Sequence, residues 1–337
     1  MTRTAALLFL AIALVVICLP AVAVSLGRQL QPFLPGVLEE EDESSDQKEG
    51  LSPISLYIAE KQEVITVDLE EYLVGVVMAE MPASFALEAL KAQAVVARTY
   101  AMHRLRSYGG SGCDRSFQPA DLCSDSTHCQ AWVDPVQAVA RWPEDRREEN
   151  LQRIRQAVAD TAGEVVVFGG ALVEAVYHST CGGKTETSTA IWSGGPVPYL
   201  QSIRCPYCSH SPYYRSELLI PYDQLEAAFQ QELAWPAGPS GEIPLQVVET
   251  TPGERVAILQ VNNTRLEGKE VRRLLELPST DFSWEFREDG VLFFIRGHGH
   301  GVGLCQYGAD GAAAQGLNYR DIIAYYYTGA EVASAPP

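Results

Sequence analysis

Glu80 is a carboxylate of this 337-residue chain whose surroundings suit acid–base chemistry, although a solvated residue in the last turn of a helix would have the same pattern. It lies in the segment VVMAEMP, where the pattern predicts the last turn of a helix, and its neighbours Val76, Val77, Met78 and Met81 are apolar. Apolar surroundings and the negative end of a helix dipole both favour the protonated form of a carboxyl group. A group that keeps its proton near neutral pH can act as a general acid and, once it has donated, as a base.

A second group of residues with suitable chemistry lies in a predicted loop over 107–135. Cys123, His128 and Cys129 are close together in the chain, and Cys113 precedes them in the same loop. Three thiolates and one imidazole are ligands that zinc prefers, and a closed set of four indicates a structural site. A disulfide from Cys113 to Cys123 or to Cys129 is the alternative in an oxidising compartment.

The cysteine count bears on that choice. The chain has 8 cysteines, of which Cys18 lies in an apolar segment, and the odd number left outside it cannot all pair within one chain. If three of these hold zinc, an even set remains: Cys181, Cys205, Cys208 and Cys305. We expect Cys205 and Cys208 to form a local disulfide or half of a second metal site.

Two helices are predicted to position the carboxylate. The first begins after Asp68, which has Glu71 three residues later as in a capping box, and it ends near Met81 because Pro82 follows. The second, over residues 86–106, carries a stripe of small side chains. Such a stripe allows the helix to pack closely against a neighbour.

The other segments indicate a mixed fold. Their periodicity predicts a hairpin over 54–58 and 63–67, another over 164–168 and 171–178 joined by two glycines, and a helix over 144–160. We therefore expect a single α+β domain over residues 53–333, with helices around a substrate groove.

The N-terminal part of the chain predicts an exported protein. Residues 5–24 are uncharged, almost wholly apolar and long enough to cross a membrane, so residues 1–26 are expected to be a transmembrane anchor or a cleaved signal. Residues 27–52 are strongly acidic and are expected to form a disordered linker. The expected location is the cell membrane, with the C-terminal domain outside the cytoplasm; secretion is the alternative. The formal net charge of −18 argues against nucleic acid as a partner.

Three separated segments of the chain match one pattern. They are YLVGVVMAEMPASFALEALKAQAVVARTYA (72–101), YHSTCGGKTETS (177–188) and GHGVGLCQYGADGAAAQGLNYRDIIAYYYTG (299–329), with LPSTDF (277–282) as a lesser mark. Together they resemble the stage II sporulation protein D family. The resemblance implies an exported, membrane-anchored lytic transglycosylase that cuts peptidoglycan glycan strands, with Glu80 as catalytic acid. Relatives in this family include amidase enhancers of spore-wall lysis.

The resemblance also implies a set of substrate-binding residues. Lys91 and Arg98 match basic positions of the family's second helix, where they would hold the sugar or position the catalytic acid. The other expected substrate-binding residues come from the second and third motifs: Tyr177, His178, Ser179, His300 and Gln306.

The resemblance bears on the cysteines too. Some family members bind zinc through Cys-x4-His-Cys, which Cys123, His128 and Cys129 match, whereas Cys113 stands where the family has a histidine ligand. Cys181 and Cys305 depart from the hydroxyl residues that are common at their positions. This departure raises a disulfide between the second and third motifs as an alternative.

Three classes of function follow from these observations. The leading prediction is the transglycosylase, which needs one carboxylate, whereas a hydrolytic glycosidase needs two. The alternative is a non-catalytic protein that binds glycan and enhances a cell-wall amidase. A zinc hydrolase is disfavoured because the sequence has no HExxH-like helix.

Overall fold

The computed structural model describes residues 53–116, 119–233, 235 and 244–336. The expected membrane segment (1–26) and acidic linker (27–52) lie outside these residues. None of the helices in the described ranges has the length and apolar character needed to cross a bilayer.

Helices and strands are interspersed along the described chain. The helices are α1 (Leu69–Glu80), α2 (Leu87–Arg104), α3 (Pro135–Ala138), α4 (Arg147–Ala159), α5 (Tyr222–Phe229), α6 (Gly268–Leu274), α7 (Gln306–Ala314) and α8 (Tyr319–Tyr326). The strands are β1 (Ile54–Ile58), β2 (Glu63–Val67), β3 (Leu122–Cys123), β4 (Glu164–Phe168), β5 (Ala171–Leu172), β6 (Tyr177–His178), β7 (Arg215–Pro221), β8 (Leu245–Thr250), β9 (Val256–Val261), β10 (Thr264–Glu267), β11 (Phe282–Phe286), β12 (Gly290–Arg296), β13 (Leu304–Cys305) and β14 (Glu331–Ser334).

The strands form small sheets. β1 lies between antiparallel β2 and parallel β3, β4 lies between β14 and β5, and β6 pairs in parallel with β13. In two further antiparallel sheets, β9 lies between β8 and β10, and β12 lies between β7 and β11. This mixture of helices and sheets confirms the expected α+β class.

The first helix begins and ends as the sequence predicts. The Asp68 side chain accepts hydrogen bonds from the backbone N–H groups of Glu70 at 2.9 Å and Glu71 at 3.3 Å, which caps the N-terminus of α1. Met81 is extended, with φ −128° and ψ 143°, because Pro82 disfavours helical geometry in the residue before it. The helix therefore stops with Glu80 in its last turn.

α2 is a central helix of the fold. Ala94, Ala97 and Ala101 on it are fully buried, and α1, α4, α7, α8 and β4 all pack against it. Small side chains let these elements approach the helix axis closely, as the predicted stripe required. The helix is buried on most of its faces, so it fixes the positions of the elements around it.

The apolar side chains of the described residues gather in two main clusters. The larger cluster joins α1, α2 and α4 to the sheets of β1 and β4 and to α7 and α8. The second cluster lies among the sheets of β9 and β12 together with α5 and α6.

The second predicted hairpin is correct only in part. β4 and β5 pair through a turn at Gly169 and Gly170, which both have positive φ, but β5 ends at Leu172. Tyr177 and His178, which alternation assigned to the same hairpin, pair with β13 instead. The alternation of residues within one segment cannot reveal β13 as the partner, because β13 lies far from Tyr177 in the sequence.

Candidate active site

A cavity of about 610 Å³ lies beside the C-terminal end of α1. Six of the residues expected to be catalytic or to bind substrate line it: Glu80, Tyr177, His178, Ser179, His300 and Gln306. His128 and Cys129 of the cysteine-rich loop also contribute to its wall. Segments that are far apart in the sequence therefore meet around one cavity.

The pairing of β6 with β13 joins the second and third motifs. It places Tyr177 and His178 next to Gln306, which begins α7 directly after β13. Gly303 allows this approach: its φ is +71°, and a Cβ at this position would lie 2.1 Å from the carbonyl oxygen of Val176. A larger residue would therefore push the two motifs apart.

The Glu80 carboxyl is held by three neighbours. The backbone N–H of Ala131 donates to Oε1 at 2.9 Å, the Tyr177 hydroxyl lies 3.2 Å from the same oxygen, and Nε2 of Gln306 donates to Oε2 at 3.3 Å. Burial raises the pKa of Glu80, and these hydrogen bonds, which favour the ionised form, offset that effect only in part. Glu80 thus combines a fixed position with an increased affinity for its proton.

Tyr177 links Glu80 to a buried glutamine. Its hydroxyl lies 2.9 Å from Oε1 of Gln130, whose Nε2 donates to the hydroxyl of Tyr72 at 3.0 Å and to the carbonyl of Ala97 at 3.3 Å. A hydroxyl carries one proton, so Tyr177 donates to one of its two acceptors at a time. When it donates to Gln130, its oxygen can accept from a protonated Glu80. The network therefore accommodates both protonation states of the carboxyl.

Two histidines form another part of the wall. Nδ1 of His178 lies 3.0 Å from the carbonyl oxygen of Val302, which can only accept, so Nδ1 carries the proton. The backbone N–H of Val302 in turn donates to Nδ1 of His300 at 3.1 Å. Burial lowers the pKa of His178 well below its usual range and that of His300 to about 4. Both rings are therefore neutral near pH 7, so neither brings a positive charge to the cavity.

Lys91 and Arg98, which were expected to bind the sugar or position the catalytic acid, do not line this cavity. The Lys91 amine forms ion pairs with Glu88 and Asp160, each at 3.1 Å. The Arg98 side chain is fully buried, and its Nε and Nη2 donate to the Glu70 carboxylate at 2.8 and 2.6 Å. This geometry favours a structural role for both residues over the expected contact with a sugar.

The structure brings together the four residues expected to bind zinc. The sulphur atoms of Cys113, Cys123 and Cys129 lie 3.5, 3.4 and 3.4 Å from Nδ1 of His128, and all four ligand atoms lie within 4.8 Å of one another. Nε2 of His128 lies 2.9 Å from a carboxylate oxygen of Asp114. Such a contact fixes a proton on Nε2 and directs the Nδ1 lone pair towards the sulphurs. The donor set fits a tetrahedral metal ion.

Sequence reasoning missed several residues of the cavity wall. Gln130 follows Cys129 directly, but a lone glutamine in a loop gives no signal of a buried network. Trp192 is an exposed aromatic residue, Glu174 is an exposed second carboxylate, and Arg272 adds a positive charge. Trp192 precedes Ser193, Gly194 and Gly195, and an aromatic residue beside such a turn is a signal that could have identified it as an exposed ring.

The fold and the cavity define a class of protein: an α+β domain in which three separated motifs surround a partly buried carboxyl group. The family model described as stage II sporulation protein matches residues 57–168. Stage II sporulation protein D of Bacillus subtilis (strain 168) is 35% identical over 286 residues, which cover 84% of this chain and 80% of the relative. The protein of the same name from Bacillus amyloliquefaciens is 33% identical over 288 residues, 86% of this chain and 80% of the relative.

The chain therefore belongs to the stage II sporulation protein D family. A more distant relative, the amidase enhancer of Bacillus subtilis (strain 168), is 26% identical over 316 residues, which cover 78% of this chain and 40% of that protein. Family membership supports a role related to the cell wall.

Proposed function

We propose that the protein is an exported lytic transglycosylase that cleaves the glycan strands of peptidoglycan, with Glu80 as general acid and base. The single observation that carries the proposal is the partly buried Glu80 carboxyl, with its raised pKa, in the wall of a cavity of about 610 Å³. We further propose that residues 5–24 anchor the protein in the cell membrane, with the described domain outside the cytoplasm.

The reaction requires one proton donor that is regenerated in each cycle. Protonated Glu80 donates to the glycosidic oxygen as the bond to the muramic acid C1 breaks. The C6 hydroxyl of the same muramic acid then bonds to C1, and its proton returns to the Glu80 carboxylate. The product ends in a 1,6-anhydro sugar, and no water is consumed. The hydrogen bonds from Ala131 and Gln306 support this cycle because they stabilise the carboxylate that forms.

Residues around Glu80 are suited to hold a glycan. The Trp192 side chain is 42% exposed and its ring centroid lies 5.2 Å from that of His300, so it offers an apolar face for a sugar ring. The Ser179 hydroxyl and the neutral His300 ring add polar groups to the same wall. Arg104 and Arg272 bring positive charges to the cavity wall.

We also propose that Cys113, Cys123, His128 and Cys129 hold a structural zinc ion. A closed set of four ligands leaves no position for a catalytic water. Ala131, whose N–H donates to Glu80, lies two residues after Cys129, so ordering this loop also orders a hydrogen bond of the site.

The test is analysis of the products released from glycan strands whose peptides have been removed. We expect the purified protein to release chains that end in 1,6-anhydromuramic acid, and Glu80→Gln to abolish release while binding is retained. Glu174→Gln is the matched control because Glu174 lines the same cavity but is exposed. Products with reducing ends, together with an inactive Glu174→Gln variant, would indicate a hydrolase with two carboxylates.

A second candidate function is favoured by the amidase-enhancer relative. In this alternative the cavity binds glycan without cutting it, and the bound protein activates a cell-wall amidase. Stimulation of an amidase by both the unchanged protein and Glu80→Gln, with no cleavage by either, would support the enhancer over the transglycosylase.

A further inference from the structure

A second group of four cysteines lies behind the cavity. The side chains of Cys181, Cys205, Cys208 and Cys305 are all buried, with 0–1% of each exposed. Their sulphur atoms all lie within 4.8 Å of one another, and the sulphurs of Cys181 and Cys208 are 3.4 Å apart. Three separate segments contribute to this cluster: the turn after β6, the loop before β7, and β13.

The spacing of the sulphurs fits one central ion. A disulfide holds two sulphurs at about 2.05 Å, and none of the seven cysteines in the described ranges is in a disulfide. Four sulphurs placed tetrahedrally at about 2.3 Å from a zinc ion lie about 3.8 Å from one another. The close mutual approach of all four sulphurs therefore fits a single ion at their centre.

Backbone N–H groups around the four cysteines are placed to stabilise thiolate sulphurs, which carry a negative charge. The N–H groups of Cys181 and Gly308 each donate to the Cys305 sulphur at 3.3 Å, and the N–H of Gly183 donates to the Cys181 sulphur at 3.4 Å. Cys305 also caps the N-terminus of α7, where the helix dipole favours negative charge. Hydrogen bonds of this kind stabilise thiolates, which are the form that binds metal.

We propose that Cys181, Cys205, Cys208 and Cys305 form a closed tetrathiolate zinc site, distinct from the site in the cysteine-rich loop. Binding releases four protons as four thiols become thiolate ligands of one Zn²⁺ ion, and no electron is transferred. Zinc suits an exported protein because it has no redox chemistry and prefers tetrahedral sulphur.

The proposed zinc site would hold together the segments that form the cavity wall. Cys305 directly precedes Gln306, which donates to Glu80, and Cys181 lies two residues after Ser179 in the cavity wall. The ion would therefore join the second and third motifs behind the cavity and tie the loop of Cys205 to both. With four protein ligands and full burial it has no open position for a substrate, so its role is structural.

The metal content of the purified full chain and of two double variants tests the proposal. Cys205→Ser with Cys208→Ser should lose one equivalent of zinc relative to the unchanged protein. Cys123→Ser with Cys129→Ser is the matched control, because it alters the other cluster and should retain the equivalent assigned here. Zinc that is unchanged in the first variant, or iron in place of zinc, would overturn the proposal.

A chemical measurement on the unchanged protein covers the case in which the first variant does not fold. The protein is denatured with a chelator and an alkylating reagent but without reductant, and its peptides are analysed by mass spectrometry. We expect alkylation at Cys181, Cys205, Cys208 and Cys305, because metal-bound thiolates become free when the ion is removed. Disulfide-linked peptides among these four residues would overturn the proposal.

Discussion

The buried contact between Arg98 and Glu70 gives the sharpest test of whether Arg98 is structural or binds substrate. The guanidinium has no exposed surface, whereas Glu70 is 33% exposed at its side chain. Besides the carboxylate, Arg98 donates to the carbonyl of Glu164 at 3.1 Å and to that of Val158 at 3.3 Å. The contact therefore joins α1, α2 and the segments on either side of the turn before β4.

Removing the carboxylate leaves a buried charge without its partner. Loss of one partner from a buried ion pair destabilises a protein by about 3–5 kcal/mol. Glu70 is partly exposed, so water can occupy the place of its carboxylate. We therefore expect Glu70→Ala to lower the free energy of unfolding by about 3 kcal/mol, the lower end of this range. That corresponds to a change of about 100-fold in the folding equilibrium, at about 1.4 kcal/mol per factor of ten.

The assay is a double-mutant cycle followed by denaturant unfolding. Arg98→Met, Glu70→Ala and the double variant are compared, and we expect the double variant to be more stable than the sum of the single losses predicts, by at least about 1 kcal/mol. Lys91→Ala is the control, because it removes an amine whose acidic partners Glu88 and Asp160 are partly exposed and can be solvated, so we expect a smaller loss than for Glu70→Ala. Additive losses, or an Arg98→Met variant of normal stability with weakened glycan binding, would refute a structural role.

Three further predictions concern the cavity. Trp192→Ala should weaken glycan binding about 10-fold, or about 1.4 kcal/mol, because a sugar loses its apolar platform; unchanged affinity in a titration would exclude stacking. Cleavage should fall as pH rises through the pKa of Glu80, because the general acid must be protonated. Gln306→Leu removes a hydrogen bond that lowers this pKa, so the falling limb of the pH–rate profile should move to higher pH. If the limb does not move, the titration that it reports belongs to a group other than Glu80. Cys123→Ser should lower cleavage and increase hydrogen exchange at Ala131, because the proposed zinc site orders this loop; normal exchange at Ala131 would show that the cysteine-rich loop does not position this hydrogen bond.

The elements around Glu80 illustrate what local signals can predict. Asp68 and Pro82 set the two ends of α1 through capping and backbone sterics, which act within a few residues and are therefore visible in the sequence. The alanines of α2 predict close packing for the same reason. The Tyr177–His178 strand was assigned to the wrong partner because strand pairing over a long separation depends on tertiary contacts.

The roles of individual charges required the tertiary structure. Lys91 and Arg98 have the residue types and the helix spacing of a sugar-binding face, and nothing in the sequence distinguishes that face from one that packs against α4 and α1. Glu88 pairs with Lys91 from the same helix, but Asp160 and Glu70 come from other elements. Likewise, Gln130 becomes part of the site only because its loop folds back against Glu80.

The sequence by itself determined the α+β class, the helix that ends at Glu80, the motifs that surround it and the family to which the chain belongs. These features depend on local backbone preferences and on residue types at fixed spacing. The tertiary structure decided which side chains share the cavity, which cations are engaged in ion pairs, and which cysteines come together, three of them beside His128 and four in a second cluster. Those outcomes depend on burial and on contacts between distant segments, which exist only once the chain has folded.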